Sequence, residues 1–181
     1  FYTNLLLAQD VLIEAKNITL DKNGEISIFE NDVVVKTEGK IIESDYVEYD
    51  KKNGILKIEK NVKAKDKNNN IIETESAEYN ENLKIFKSLG PTTITTSEKY
   101  FLQGKNIIAY TADKIIESKD DAVITDEDKN KIYLQNFKYN SNQNIFKSVG
   151  LIKIEDNTDN SYQFSQIYID EIKREIIGSD I

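Results

Sequence analysis

"IIESDYVEYD", residues 41–50, places Ile42, Ser44, Val47 and Tyr49 at steps of two, three and two, with Glu43 and Glu48 between them. Two alternating pairs whose phase slips once describe a β-strand with a β-bulge. Such a strand bends, with one face dry and the other wet. Thirty residues on, "IIETESAEYN" (71–80) writes the phrase again with Ile72, Thr74, Ala77 and Tyr79. The repetition decides the fold.

The Asp or Asn that closes the phrase recurs at Asp21, Asp50, Asn80, Asn140 and Asp170, at gaps of 29, 30, 60 and 30. The long gap hides a degenerate copy, "FLQGKNIIAY" (101–110). Six copies of a unit of about thirty residues therefore fill the chain, the last incomplete. The four dry positions are Ile13, Ala15, Ile18 and Leu20 in the first copy, and Leu102, Gly104, Ile107 and Ala109 in the fourth. They are Ile132, Leu134, Phe137 and Tyr139 in the fifth, then Tyr162, Phe164, Ile167 and Ile169 in the sixth.

Breaks rich in Asn, Asp and Gly separate these strands. "DKNG" (21–24), "DKKNG" (50–54), "NEN" (80–82) and "NSNQN" (140–144) follow them, while "DKNNN" (66–70), "DEDKNK" (126–131) and "DNTDNS" (156–161) lie opposite. Asn, Asp and Gly accept left-handed backbone and cap turns, so the breaks predict hairpin tips. Each unit is then a hairpin. Its second strand carries Ile26, Ile28, Val33 and Val35, or Leu56, Ile58, Val62 and Ala64, with Ile85 inward in the third copy. "IFKSLG" (85–90) and "IFKSVG" (145–150) set a Gly where that strand must kink, and Pro91 requires such a break.

The predicted fold class is all-β: stacked β-hairpin repeats forming a twisted, partly open β-jellyroll, a single domain over 11–181. One hairpin cannot bury its dry face, but six in register make two facing sheets. Either the sheets close on an ordinary core, which the residues alone favour, or they splay and leave an apolar trough. The small column Ala15, Ser44, Thr74 and Gly104 points towards extra interior room. A stack also ends in edge strands that are blunted or paired with another chain.

With 24 Lys and Arg against 32 Asp and Glu, the net charge is −8 and no basic stripe is present, so nucleic acid is not an expected partner. His, Cys, Met and Trp are all absent. That removes the commonest general base, thiol metal sites and disulfides. No catalytic residue, metal site or cofactor is predicted. "DEDKN" (126–130) imitates the opening of a calcium loop, but Lys131 and Phe137 stand where Gly and Glu are needed. Asp120 and Asp121 are adjacent, and neighbouring acids on a strand point to opposite faces. Residues 1–10, with "LLLA" at 5–8, read as a signal-peptide remnant or an apolar first strand. The start without Met and the end in mid-pattern are expected of a processed or excised segment.

The unit "IIESDYVEYDKKNGILKIEKNVKAKD" (41–66) resembles the repeat of the OstA-like lipopolysaccharide-transport family, which includes LptA, LptC and LptD. The features that carry the resemblance are an aliphatic-x-small strand, a Tyr-Asp turn, a rising strand, and Asn-Val opening the next segment. It covers about 11–181. The closing "SQIYIDEIKREIIGSDI" (165–181) resembles the end of the periplasmic domain of LptD, with a free-standing LptA-type bridge protein as the alternative. The resemblance implies a periplasmic protein that shields lipopolysaccharide acyl chains in a trough and joins other transport proteins through edge strands. The lining would be Ile13, Ile18, Ile42, Val47, Tyr49, Ile58, Val62, Ile72, Ala77, Tyr79, Ile85, Leu102, Ile107, Ile132, Leu134, Phe137, Tyr139, Phe164 and Ile167. Burying acyl chains is favourable by roughly 25 cal/mol per Å² and needs no directional chemistry. From a different class, a ligand-free structural β-repeat protein stays open.

Overall fold

The computed structural model describes residues 11–21, 24–37 and 39–179. The possible leader at 1–10 lies outside them. Every regular element among the described residues is a strand, as the all-β reading requires. β1 (Leu12–Glu14) and β2 (Asn17–Leu20) are two halves of a first bent strand. β3 (Ile26–Thr37), β4 (Lys40–Asp50), β5 (Ile55–Asp66) and β6 (Ile71–Asn80) run unbroken through their bends. The next four strands divide at the bend. They give β7 (Ile85–Ser88) and β8 (Pro91–Thr95), then β9 (Phe101–Lys105) and β10 (Ile108–Tyr110). β11 (Ile115–Ser118) and β12 (Ala122–Thr125) follow, with β13 (Lys131–Leu134) and β14 (Phe137–Asn140). β15 (Ile145–Glu155) and β16 (Ser161–Asp170) are again continuous, and β17 (Glu175–Ser179) is a last half-strand.

All pairings are antiparallel and join the strands into one sheet. The phase slip read from the sequence is the bend. Pairing jumps between Glu30 and Val33, Glu59 and Val62, and Val149 and Ile152, so the extra residue sits on the second strand of each hairpin. Asn31 and Asp32 (φ 64° and 51°) and Lys60 and Asn61 (65° and 56°) bend the strand there through left-handed backbone. Gly90 (φ 90°) and Gly150 (φ 126°) take the same place in "IFKSLG" and "IFKSVG", where the sequence called for a kink.

The bends fold the sheet onto itself and bring two rows of turns together at a mouth. One row holds turns 51–54, 81–84, 111–114, 141–144 and 171–174; the other holds 67–70, 97–99, 127–129 and 157–159. The guanidinium of Arg174 from the first row lies 3.5 Å from the Glu127 carboxylate of the second.

Both rows keep strict time. Left-handed backbone recurs at Gly24, Gly54, Lys84, Lys114, Asn144 and Arg174, and at Gly39, Asn69, Lys99, Lys129 and Asp159. Within each series the step is thirty residues. The tips at 96–100, 111–114 and 171–174, which lack an Asn-Gly signal, are therefore held in the same geometry by their neighbours. A β-carbon in this region costs on the order of 1 kcal/mol. Lys114→Gly and Lys129→Gly are accordingly expected to stabilise by about 1 kcal/mol each, raising Tm by about 2–4 °C. A thermal melt of each variant checks this.

The anchoring Asp and Asn residues close the first row. Asp50, Asn80, Asn140 and Asp170 each accept the N–H three residues on through Oδ1. In the second row Asp66, Asp126 and Asp156 accept the N–H four residues on through Oδ1, and the amide of that Asn through Oδ2. The Asp126 carboxylate that opens the calcium-like stretch is thus committed to its own turn. Asn70 and Asn130 pass the contact along, each accepting an N–H from the next tip, at Ser97 and Asn157.

Candidate functional site

The four dry positions become four columns. Ile18, Phe29, Val47, Ile58, Ala77 and Ser88 lie opposite one another in turn across six strands. Beside them run Leu20, Ser27, Tyr49, Leu56, Tyr79 and Phe86. Beyond the bend, Val35, Ile42, Ala64, Ile72, Ile94 and Leu102 form the column nearest the second row of turns. Val33 with Ser44, and Val62 with Thr74, Thr92 and Gly104, form the column along the fold line. Antiparallel partners share a face, so each column is continuous along the stack.

Of the residues expected to line the interior, fifteen are buried: Ile42, Val47, Tyr49, Ile58, Val62, Ile72, Ala77, Tyr79, Leu102, Ile107, Ile132, Leu134, Phe137, Tyr139 and Ile167. Ile13 and Phe164 are half-buried at the two ends, where the ring of Phe164 covers Gly178. Ile18 belongs to its column but is 57% exposed, because β2 is the end strand among the described residues.

Two expectations are corrected. Ile85 faces outward, opposite Asn80 and Tyr110, and Phe86 takes the interior against Tyr79 and Ala109. Likewise Ser27 and Phe29 point inward in β3, not Ile26 and Ile28, because they oppose Tyr49 and Val47. In both cases two neighbouring apolar residues leave the strand's parity ambiguous until the hairpin register sets it. The small column also needs rereading. A β-carbon on Gly104 would meet the Ala122 β-carbon at 3.4 Å, ordinary van der Waals contact, so the small column leaves no large space at the fold line. Polar residues on that line are satisfied: Thr74 Oγ1 donates to the Pro91 carbonyl (3.0 Å) and Thr92 Oγ1 to Ser88 Oγ (2.7 Å).

The interior is packed. Tyr139 stacks on Phe146 with ring centres 4.4 Å apart, and Phe137 meets Phe146 at 6.0 Å. Midway along the mouth, Ile42, Ala64 and Ile72 from one half face Tyr79, Phe86 and Ile116 from the other around a cavity of about 60 Å³. That is room for a few waters, not an acyl chain. An occupant of chain length would require the rows of turns to part.

Tyrosine hydroxyls tie successive rungs together. Tyr49 Oη donates to Glu81 Oε2 (2.7 Å), and Tyr139 Oη lies 2.8 Å from Glu171 Oε2. Burial raises the pKa of Tyr49, Tyr79, Tyr100 and Tyr139, so these phenols stay protonated. Turn hydrogen bonds hold the Asp50, Asp156 and Asp170 carboxyls below the usual range. Glu171 is the exception. It is 2% exposed, and burial pushes its carboxyl up to about 7, opposed by hydrogen bonds from Tyr139 and Thr96 and reinforced by Glu98. It lines an acidic cavity of about 210 Å³ with Glu98, Asp126, Glu127, Asp128 and Arg174. Sequence reading missed Glu171, although its place just after Asp170 matches that of Glu81 after Asn80. Among the described residues no acidic cluster has the geometry to hold a metal ion.

No protein-family model matches the chain, and no curated protein matches it. Among solved structures, it is similar to LptH of Pseudomonas aeruginosa, described as the LptA-homologous periplasmic component of the lipopolysaccharide transport device. The identity is 16%, covering 96% of this chain and 84% of that one, at a TM-score of 0.28. It is also similar to the TCP10 domain of Danio rerio CPAP in complex with a STIL peptide, at 10% identity and a TM-score of 0.17, over 84% of this chain and 97% of that one. At such TM-scores neither likeness bears on fold or function.

Proposed function

We propose that the chain is a periplasmic lipopolysaccharide-transport component of OstA-like type, one domain over 11–181, that shields acyl chains between the two halves of its folded sheet. The observation that carries the reading is the continuity of the apolar columns along the whole stack. A lipid with several acyl chains needs length and apolar surface without catalysis, and a column of rungs supplies both. The sequence resemblance gives the finer assignment, the N-terminal periplasmic domain of LptD attached to an outer-membrane barrel, with an LptA-type bridge protein as the alternative.

The stack's ends support docking. β2 is exposed along its whole length, with Ile18 and Leu20 uncovered, and β17 is exposed with Ile176 and Ile177 uncovered. Strand edges of this kind, unpaired among the described residues, accept a strand from a neighbouring transport protein.

The closed interior favours one rival, a ligand-free structural repeat protein. Acyl-chain analysis separates the two. Protein purified from the periplasm of a Gram-negative host is expected to carry near-stoichiometric hydroxylated acyl chains of lipopolysaccharide. Protein free of acyl chains, both as purified and after incubation with lipopolysaccharide, would favour the structural repeat.

A further inference from the structure

The mouth keeps its charges in two separate places. At one end the acidic cavity gathers Glu98, Asp126, Glu127, Asp128 and Glu171 around one cation, Arg174, which already pairs with Glu127. Midway along, the apolar cavity is lined by Lys40, Lys65, Lys67 and Lys114 with a single acid, Asp66. That acid is committed to its own turn. Its Oδ1 accepts the N–H groups of Asn68 (2.8 Å) and Asn70 (2.9 Å), and its Oδ2 the Asn70 amide (3.0 Å). In a chain of net charge −8, a run of lysines around an apolar floor departs from the rest of the surface.

Three of these lysines frame the opening. Lys40 has the parity of buried Ile42 and so belongs to the inner face of β4, whereas Lys65 alternates with buried Ala64 and lies on the outer face. Lys67 stands at a tip of the second row, its stem passing 3.8 Å from where a β-carbon on Gly39 would lie. Lys114 stands at a tip of the first row. Its place is fixed by left-handed backbone (φ 59°) and by its carbonyl, which accepts the Ser141 N–H at 2.9 Å. Among the described residues no ion pair engages Lys67 or Lys114.

An apolar floor of Ile42, Ala64, Ile72, Phe86 and Ile116 beneath lysine ammonium groups fits one kind of molecule, an amphiphile with an anionic head. Lysine stems add to the apolar wall while their charged ends stay in water. There they form charge-assisted hydrogen bonds to phosphate oxygens, which a nonionic head cannot use. The acids at the other end of the mouth repel the same head, so charge selects the middle. We propose that Lys40, Lys67 and Lys114 form a head-group subsite that holds a lipid phosphate while its acyl chain enters the apolar cavity below. The subsite rests on the trough reading given above for the place of the chain, which parts the rows between tips 67–70 and 111–114.

Dodecyl phosphate and dodecyl maltoside share a chain and differ in the head, so calorimetric titration of each below micelle formation isolates the head. Dodecyl phosphate is expected to bind about tenfold more tightly at low ionic strength. The double substitution Lys67→Gln with Lys114→Gln should remove most of that preference and leave dodecyl maltoside binding unchanged. Lys51→Gln with Lys52→Gln removes the same charge at an exposed tip outside the cavity and should keep the preference. A preference that both double variants reduce alike comes from net charge and overturns the subsite. Inorganic phosphate that binds as tightly as dodecyl phosphate would make the ligand a free anion and overturn the lipid assignment. Equal binding of the two amphiphiles fails the subsite alone, and the trough stands. Binding of neither fails the trough itself, and the subsite with it.

Discussion

Ile58→Ala is expected to lower the unfolding free energy by about 3 kcal/mol, within roughly 2–5. Ile58 is fully buried between Val47 and Ala77 in a column that runs through the sheet. Losing its outer carbons removes contacts on both neighbouring rungs and leaves a void that stacked strands cannot collapse to fill. Ile18→Ala in the same column is expected to change stability by no more than about 0.5 kcal/mol, because that side chain is already largely in water. Urea unfolding of the pair reads the contrast. Equal costs would mean that burial along the column is uniform, against the described packing.

Stability is expected to fall as pH rises from about 5 to about 8, and Glu171→Gln to abolish the fall. The Glu171 carboxyl is raised in the fold from 4.5 to about 7. The folded state therefore favours the protonated acid. Its contribution is fully present below the ordinary Glu range and is lost as pH climbs through about 7. That displacement corresponds to about 3 kcal/mol. The turn carboxylates act in the opposite sense. Asp50, Asp156 and Asp170, held low by hydrogen bonds, contribute above the ordinary Asp range and lose that contribution as pH falls. Wild-type stability should thus peak near pH 5 and decline on both sides, whereas Glu171→Gln should decline only on the acid side. A flat wild-type profile above pH 5 would show that Glu171 ionises without resistance.

Much of this architecture was legible because a bent strand imposes one spacing on every copy. The steps of two, three and two placed Ile42, Ser44, Val47 and Tyr49 on four distinct columns, and even the degenerate fourth copy put Leu102 and Ile107 inside. The anchoring Asp and Asn were legible because an Asx turn needs that side chain at that point. Parity within the second strands was harder. In "IFKS" both Ile85 and Phe86 are apolar, and composition alone cannot choose between them. The four-residue turn at 81–84 chooses Phe86, since it sets Ile85 against Asn80. Phe146, by the same logic, lies opposite Tyr139. Glu171 was illegible for a different reason: an acid after an Asx anchor reads as a solvated turn, and only the facing row buries it. The size of the interior was also beyond the pattern, since it depends on how closely the two halves approach.

Photo-crosslinkers in the column and on the opposite face of the same strands test the central proposal most directly. Placed at Val47, Ile58 and Ile107 in cells, they are expected to capture lipopolysaccharide, while Glu48 and Glu78 on the outer face capture none. Capture only at Glu48 and Glu78, or at no position, would contradict an acyl-chain path through the interior.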